Sequence, residues 1–369
     1  MVKLVQLRLN FSVLAKFLKI KLFIIISVTF LTISTVTILG GYLLLPGHLH
    51  EEKIIIIEPH LSIHKVGALL EQEGVIKYSM LFEVISQLYS YYSPLKSGEY
   101  KFTTEIRPYQ VIRKLVSGIS IVHHLFIPEG STVSEIIEKV ESEERLVGKI
   151  NGTIPEGYLM PSTYFYSYGD QREKIIDAMR KQMSRTLDEV MSKLSPNSPL
   201  KTRKDVLIMA SIVEKEAGHD NERAKIAAVF LNRLDKGMKL QADPTVAYAL
   251  TGGKFKMERL LNRKDLKIRS PYNTYHVYGL PAGPISCPGH ESLEAVVAPV
   301  KIDALYFVVN GQGGHNFSNT LKEHNNHIQK FKTRARIRKS KSIKKFSNLA
   351  LQQSIRVLTQ NKKQLHYPS

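Results

Sequence analysis

Hydrophobic and polar positions separate the chain into distinct patterns. Residues 22–45 form a run of 24 positions without a charge. At about 1.5 Å per residue, a helix of that length reaches about 36 Å, enough to cross a ~30 Å hydrocarbon core with some tilt. The competing reading is a cleaved signal peptide, whose apolar stretch spans ~7–15 residues before a small-residue cleavage site. This run is longer, and Ile38, Leu39, Gly40 and Gly41 make a poor site, so a retained anchor is expected. Four isoleucines at 54–57 then predict a buried strand, ended by Pro59. Ser62 is placed to cap a helix over 63–73 with Val66, Leu69 and Leu70 on one face and Gly74 as its stop. Further amphipathic helices are expected over 79–89 and after Pro108, the latter with Val111, Ile112 and Leu115 inward.

Strand, proline, serine and helix follow again: a strand over 121–127, Pro128 and Ser131, then a helix over 132–144 with Val133, Ile136, Ile137 and Val140. Two copies fit either an internal repeat or two unrelated strand–helix units. Helices over 202–217 and 221–235 come next. A hairpin is expected from strands at 304–309 and 315–318 around a glycine-rich turn at 310–314. Those glycines are not a phosphate loop, because no Lys-Ser/Thr and no helix follow them. Strands and helices segregate along the chain, which predicts an α+β fold.

Charge changes this picture mainly at the ends. The 369 residues include 52 basic and 33 acidic side chains, a net charge of +19. Five of the excess charges precede residue 22 and twelve follow residue 329, where no acid occurs. The stretch between is only +2. That distribution argues against nucleic acid as a partner, since binding it needs a basic face on a folded domain. Lys3, Arg8, Lys16, Lys19 and Lys21 before the apolar run instead predict a cytoplasmic N-terminus, with everything after residue 45 outside the cytoplasmic (inner) membrane. The tail over 331–369 is expected to be disordered, or helical only on an anionic surface such as lipid headgroups or wall polymers. One cysteine, Cys287, excludes an intrachain disulfide and a cysteine-rich zinc site.

Common catalytic motifs are missing: there is no His-Glu-x-x-His, no Walker loop and no Gly-x-Ser-x-Gly. His315, His324 and His327 come closest to a metal set but lack an i, i+4 helical pair, so no metal is expected. The informative segment is 202–217. Thr202 and Asp205 resemble a capping box, and the eight residues after them are apolar except Ser211. On a helical wheel with Met209 at zero, Val213 falls at about 40°, Ile212 at about −60° and Glu216 at about −20°, inside the apolar arc. Glu214 falls at about 140°, toward the polar side. A carboxyl at the Glu216 position is costly to ionise if it is buried, as a general acid requires. The alternative is that Glu216 frays outward and pairs with Arg223. Stretches rich in Tyr, Asn, Gln and Asp at 241–245 and 270–275, with a Pro/Gly loop at 279–289, suit a carbohydrate groove: rings stack on sugars and amides bind hydroxyls.

Several segments together carry a resemblance to a known family. They read EGYLMPSTY at 156–164, ASIVEKE at 210–216, AVFLNRL at 228–234, LQADPTV at 240–246, SPYNTY at 270–275, GLPAGPI at 279–285, LYFV at 305–308 and GGHNF at 313–317. In order and spacing, over roughly 54–329, they resemble the YceG-like family of endolytic murein transglycosylases. The resemblance implies a single-pass inner-membrane enzyme with a small LysM-like module over 54–118 and a catalytic domain over 119–330. Such enzymes cut nascent peptidoglycan strands internally and associate with the synthases of elongation and division. The family's catalytic glutamate maps onto Glu216. Gln241, Asp243, Asn273 and Tyr275 become expected glycan contacts, and Glu156 a wall residue. No cofactor is implied. Ala282 departs from a usual proline, Cys287 stands where Asn or Thr is usual, and the basic tail is longer than the family pattern. A membrane-tethered, non-catalytic glycan-binding scaffold and a water-using muramidase are the competing functions.

Overall fold

The computed structural model describes residues 2–218 and 220–334, with Gln353 beyond them. Chain contacts divide it into two compact units: 1–124 with 144–148 and 165–171, and 125–143 with 149–164 and everything from 172 onward. Each mixes helices with short strands, as the α+β expectation requires. Most of the tail lies outside the described residues; 331–334 are helical, continuing a helix that begins at 321.

The first unit opens on α1 (Val2–Leu44), which runs through the basic N-terminal stretch as well as the apolar run. Its Lys16–Leu44 portion is long and apolar enough to cross a membrane by length and composition. The chain then forms β1 (Lys53–Ile57), α2 (Ile63–Gln72) and α3 (Ser79–Ser90). Next come β2 (Gly98–Phe102) and α4 (Pro108–Ser117). The isoleucine strand and the three helices lie where the pattern predicts. Ser62 accepts a hydrogen bond from Lys65 N. The partner of β1 was not predicted: β2 pairs antiparallel with it, Ile55 opposite Tyr100 and Ile57 opposite Gly98. Its GEYKF sequence is short and carries two charges, so its alternation is legible only once Tyr100 and Phe102 are seen in the core beneath α2, α3 and α4.

The last turns of α1 belong to that core. Tyr42 is buried in it, with Leu39 and Leu43 packed alongside. Beyond the helix, Gly47 N donates to Ile106 O and His48 N to Gly74 O. A Cβ on Gly47 would meet Val75 O at 2.2 Å, so only glycine permits this close pass of two backbones.

After β3 (Val122–Phe126), the chain forms α5 (Val133–Glu141), capped by Thr132, and then β4 (Thr163–Ser167), which pairs with β3. The cap of α5 is Thr132 rather than the preceding Ser131: Thr132 Oγ1 accepts from Glu135 N, and the Glu135 carboxylate accepts from Thr132 N. The second unit is mainly helical. It holds α6 (Arg172–Met191), α7 (Arg203–Glu216), α8 (Arg223–Asp235), α9 (Asp243–Thr251) and α10 (His290–Val297). A hairpin of β5 (Tyr306–Val309) and β6 (His315–Ser318) follows, with Val309 opposite His315, as predicted from the glycine-rich turn.

Eight consecutive buried residues, from Val206 to Val213, make α7 the axis of this unit's core, with α6, α8 and α10 packed on it. Its capping box is formed as predicted: Thr202 Oγ1 accepts from Asp205 N at 3.1 Å and Asp205 Oδ2 accepts from Thr202 N at 2.9 Å. The polar stretch at 241–245, assigned to a groove by its composition, runs into the helix α9. Pro244 starts it and Gly252, left-handed at φ 61°, stops it.

Candidate active site

The C-terminal end of α7 opens into a cleft of about 350 Å³. Glu216, Gln241, Asp243 and Tyr275 line it together with Phe230, Arg233, Phe307, His315 and His324. Four of the six residues singled out from the sequence therefore meet in one place.

Glu216 is half-buried, and among the described residues its carboxylate makes no hydrogen bond or ion pair. Burial raises its pKa to about 7, and the Asp243 carboxylate reinforces the rise against the opposing pull of Arg233. The alternative pairing with Arg223 does not occur. Arg223 is spent on Glu214 at 3.2 Å, Glu129 at 3.2 Å and Glu291 at 3.0 Å. The helical wheel is corrected for Glu214: its side chain is buried too, accepting from Gly289 N at 2.9 Å as well as from Arg223. The two glutamates of this helix end thus differ by partner rather than by burial. One is satisfied by a cation and an amide. The other faces the cleft.

Asp243 stands at the N-terminus of α9 and accepts a 2.6 Å hydrogen bond from Tyr275 Oη. Burial first, then this carboxylate, push the Tyr275 hydroxyl pKa upward, so the tyrosine stays a donor. Gln241 is exposed in the cleft with a left-handed backbone at φ 52°. A non-glycine residue held there costs of order 1–3 kcal/mol, and such outliers cluster at ligand-binding sites. The restraint comes from neighbouring hydrogen bonds: Gln241 N donates to Thr274 O, and Ala242 N to Thr274 Oγ1.

Two expected contacts lie elsewhere. Asn273 is fully buried; its Nδ2 donates to Leu266 O and Ile268 O, and its Oδ1 accepts from Tyr275 N. Its amide is consumed in shaping the loop that presents Tyr275, so it is not a cleft residue. Glu156 accepts from Val133 N at 2.9 Å, Gly157 N at 3.3 Å and Tyr248 Oη at 3.3 Å, away from the cleft. Burial raises its pKa despite those donors. The Cys287 Sγ beside it is buried and its pKa is also pushed up, which removes it as a nucleophile.

The cleft holds residues that the sequence reading passed over. Arg233 is buried, donating to Leu305 O at 2.7 Å and Leu240 O at 2.6 Å, with its guanidinium 5.2 Å from the Tyr306 ring centre. It also lines the cleft, where its charge opposes the rise of the Glu216 pKa. The signal was present: an arginine sits among the apolar positions of AVFLNRL. His315, weighed only as a metal ligand, makes a 2.7 Å contact to Glu222 through Nδ1, and its amide donates to the same carboxylate. His324 stacks on Tyr306, while His327 meets Ser318 Oγ. The three histidines have separate partners.

The Pro/Gly loop is locked onto α7. Ile285 N donates to Ser211 Oγ at 3.0 Å, and Ser286 Oγ to Ser211 O. Ser211, the one polar residue in the buried run, thereby acquires a purpose.

One carboxyl with a pKa raised to about 7, a second carboxylate held by a tyrosine and a buried cation meet in this cleft, an arrangement able to donate a proton near neutral pH. The chain belongs to the YceG-like family, whose sequence profile matches residues 55–330. It is 34% identical over 302 residues to an endolytic murein transglycosylase of Bacillus subtilis (strain 168), covering 73% of this chain and 82% of that protein. A protein of the same description from Streptococcus pneumoniae serotype 2 is 27% identical over 365 residues, which span 84% of this chain and 65% of that one. A crystal structure of a Listeria monocytogenes protein described as YceG-like is 32% identical and covers 75% of this chain and 99% of that one, with a TM-score of 0.47.

Proposed function

We propose that this protein is an endolytic peptidoglycan lytic transglycosylase that cleaves the β-1,4 bond between MurNAc and GlcNAc. The observation that carries the reading is Glu216: a carboxyl with no hydrogen-bond or ion-pair partner among the described residues, facing a cleft, with its pKa raised to about 7. The relatives' description supplies the substrate class. Protonated Glu216 gives its proton to the glycosidic oxygen as the bond to the anomeric carbon breaks. The muramic acid C6 hydroxyl attacks that carbon, and the Glu216 carboxylate takes the hydroxyl proton. The proton count closes, no water is consumed, and the product carries a 1,6-anhydro end. Gln241 and Tyr275 serve as glycan contacts, with Asp243 orienting the tyrosine.

Asp243 also favours a second reading. Two carboxylates in one cleft are the equipment of a hydrolase, with one as acid and the other as base or nucleophile. Product mass separates the two, because an anhydro end is lighter by one water. Glu216→Gln is expected to abolish release of anhydro-ended glycans while the far-ultraviolet spectrum stays native. Persisting activity would refute the acid role, and hydrated ends from the wild type would assign the hydrolytic reaction.

The same reading places α1 across the bacterial inner membrane with its N-terminus in the cytoplasm and the rest outside. Residues 54–118 form a LysM-like module there, and 119–330 the catalytic domain. The basic tail is a ligand for anionic lipid or wall polymer. Deleting residues 332–369 is expected to weaken salt-sensitive binding to anionic vesicles and to leave cleavage of soluble glycan unchanged.

A further inference from the structure

The first unit carries an apolar surface that its own core does not use. Along α3, Phe82, Ile85 and Ser86 face inward and are buried. Met80, Val84 and Leu88 recur every four residues on the opposite side, 76%, 41% and 65% exposed. Tyr91 and Tyr92 extend the stripe past the helix end, 86% and 85% exposed, their rings in edge contact. Glu83 is the one charged residue within 80–92, and its carboxylate is 2.9 Å from His64 Nδ1; none occurs from there to Lys96. Isolated exposed apolar residues are ordinary, whereas a contiguous patch without charges marks a surface meant for an apolar partner.

The position of α3 says what that partner is. The last charge before the apolar run is Lys21. About 20 helical residues cross the hydrocarbon core, which brings α1 to the far boundary near residue 41. Tyr42 sits at that level, with its ring 6.4 Å from the Tyr78 ring at the start of α3. Leu39, Tyr42 and Leu43 pack into the core of the unit, and α1 packs directly on α3 and α4. The unit is therefore built onto the end of the spanning helix rather than tethered at a distance. A 12-residue helix is about 18 Å long, so the stripe begins at the bilayer boundary and lies within about that distance of it.

We propose that the outer face of α3 from Met80 to Tyr92 lies in the bilayer interface, with lipid headgroups and the upper acyl region as its partner. The stripe inserts as an interfacial helix does, apolar side chains down and tyrosine hydroxyls at headgroup level. This fixes the unit against the membrane in addition to the anchor, and it rests on α1 spanning the bilayer.

The test uses the full chain in vesicles of phosphatidylcholine and phosphatidylglycerol. Spin labels are placed singly through Leu88→Cys and Tyr92→Cys. Ile33→Cys on α1 reports the span, and Lys65→Cys on the exposed start of α2 reports solvent. Cys287 is buried and does not compete for label. Collision with oxygen against a water-soluble nickel complex then reports depth. Labels at 88 and 92 are expected between the two references, at headgroup level. If they match Lys65 while Ile33 is deep, the anchor stands and the inference falls. Water exposure at Ile33 overturns both. Spin–spin broadening at 88 that disappears on dilution with unlabelled protein would give the face to a second copy, which also overturns the inference.

Discussion

At the scale of single residues, the cleft sets one carboxylate that has no partner among the described residues beside others that are satisfied. Glu214 has an arginine and an amide, Glu222 has His315, and Asp243 has a tyrosine. Glu216 has no such partner among the described residues, and burial first, then the Asp243 carboxylate, raises its pKa to about 7. The groups facing it are Asp243, which raises that value, Arg233, which lowers it, and Tyr275, His315 and His324 around the rim. Activity that requires protonated Glu216 is expected to fall as pH rises through about 7. Asp243→Asn removes the like charge, so the alkaline limb of a pH–rate profile is expected to move to lower pH; a limb that stays in place would show that Asp243 does not act on the acid. Stability responds in the same window. Between an ordinary value of 4.5 and about 7 the folded state holds a proton that the unfolded chain releases, so stability declines as pH rises across this range. The decline is at most about 3 kcal/mol. Glu216→Gln lacks it, so urea titrations are expected to show the variant gaining on the wild type above pH 7 and no such gain below pH 4.5.

At the scale of elements, α7 shows how far local pattern reaches. Its cap, its buried run and the inward placement of Glu216 were legible because 3.6-residue periodicity and capping chemistry act within a dozen residues. The fate of Glu214 was not, because Arg223 and the amide of Gly289 come from other elements. The loop at 155–160 is held in the same non-local way. Gly157 has φ 87°, and a Cβ there would meet Pro284 Cβ at 2.7 Å and Leu207 Cδ2 at 3.3 Å. Gly157→Ala combines a disfavoured backbone with a clash against a rigid ring. It is expected to cost about 2 kcal/mol, read as a lower denaturation midpoint. Gly152 is a useful control. It is also left-handed, at φ 74°, but nothing lies within 4 Å of an added Cβ, so Gly152→Ala is expected to cost less.

At the scale of the whole molecule, the +19 charge concerns the ends, while the stretch between them is almost neutral. The apolar helix and the first unit are one piece of architecture. A chain truncated to begin at residue 46 would lose Tyr42, Leu39 and Leu43 from the core of that unit. One beginning at residue 38 would keep them. The shorter chain is expected to unfold at a lower temperature than the longer one in calorimetry, although both lack the spanning stretch. Equal melting temperatures would mean that the last turns of α1 contribute nothing to the unit they pack against.

The sequence by itself determined the α+β class, the long apolar helix, the boundaries of α7 and the hairpin, and the segments that mark the family. These follow from periodicity, caps and turn residues, which are short-range. Only the tertiary structure decided which polar residues meet. It brought Gln241, Asp243 and Tyr275 to Glu216, added Arg233 and His315, and withdrew Asn273 and Glu156 into the scaffold. Type and spacing make a side chain available for chemistry. Whether it is spent on the backbone or left facing a cleft depends on partners that arrive from distant parts of the chain.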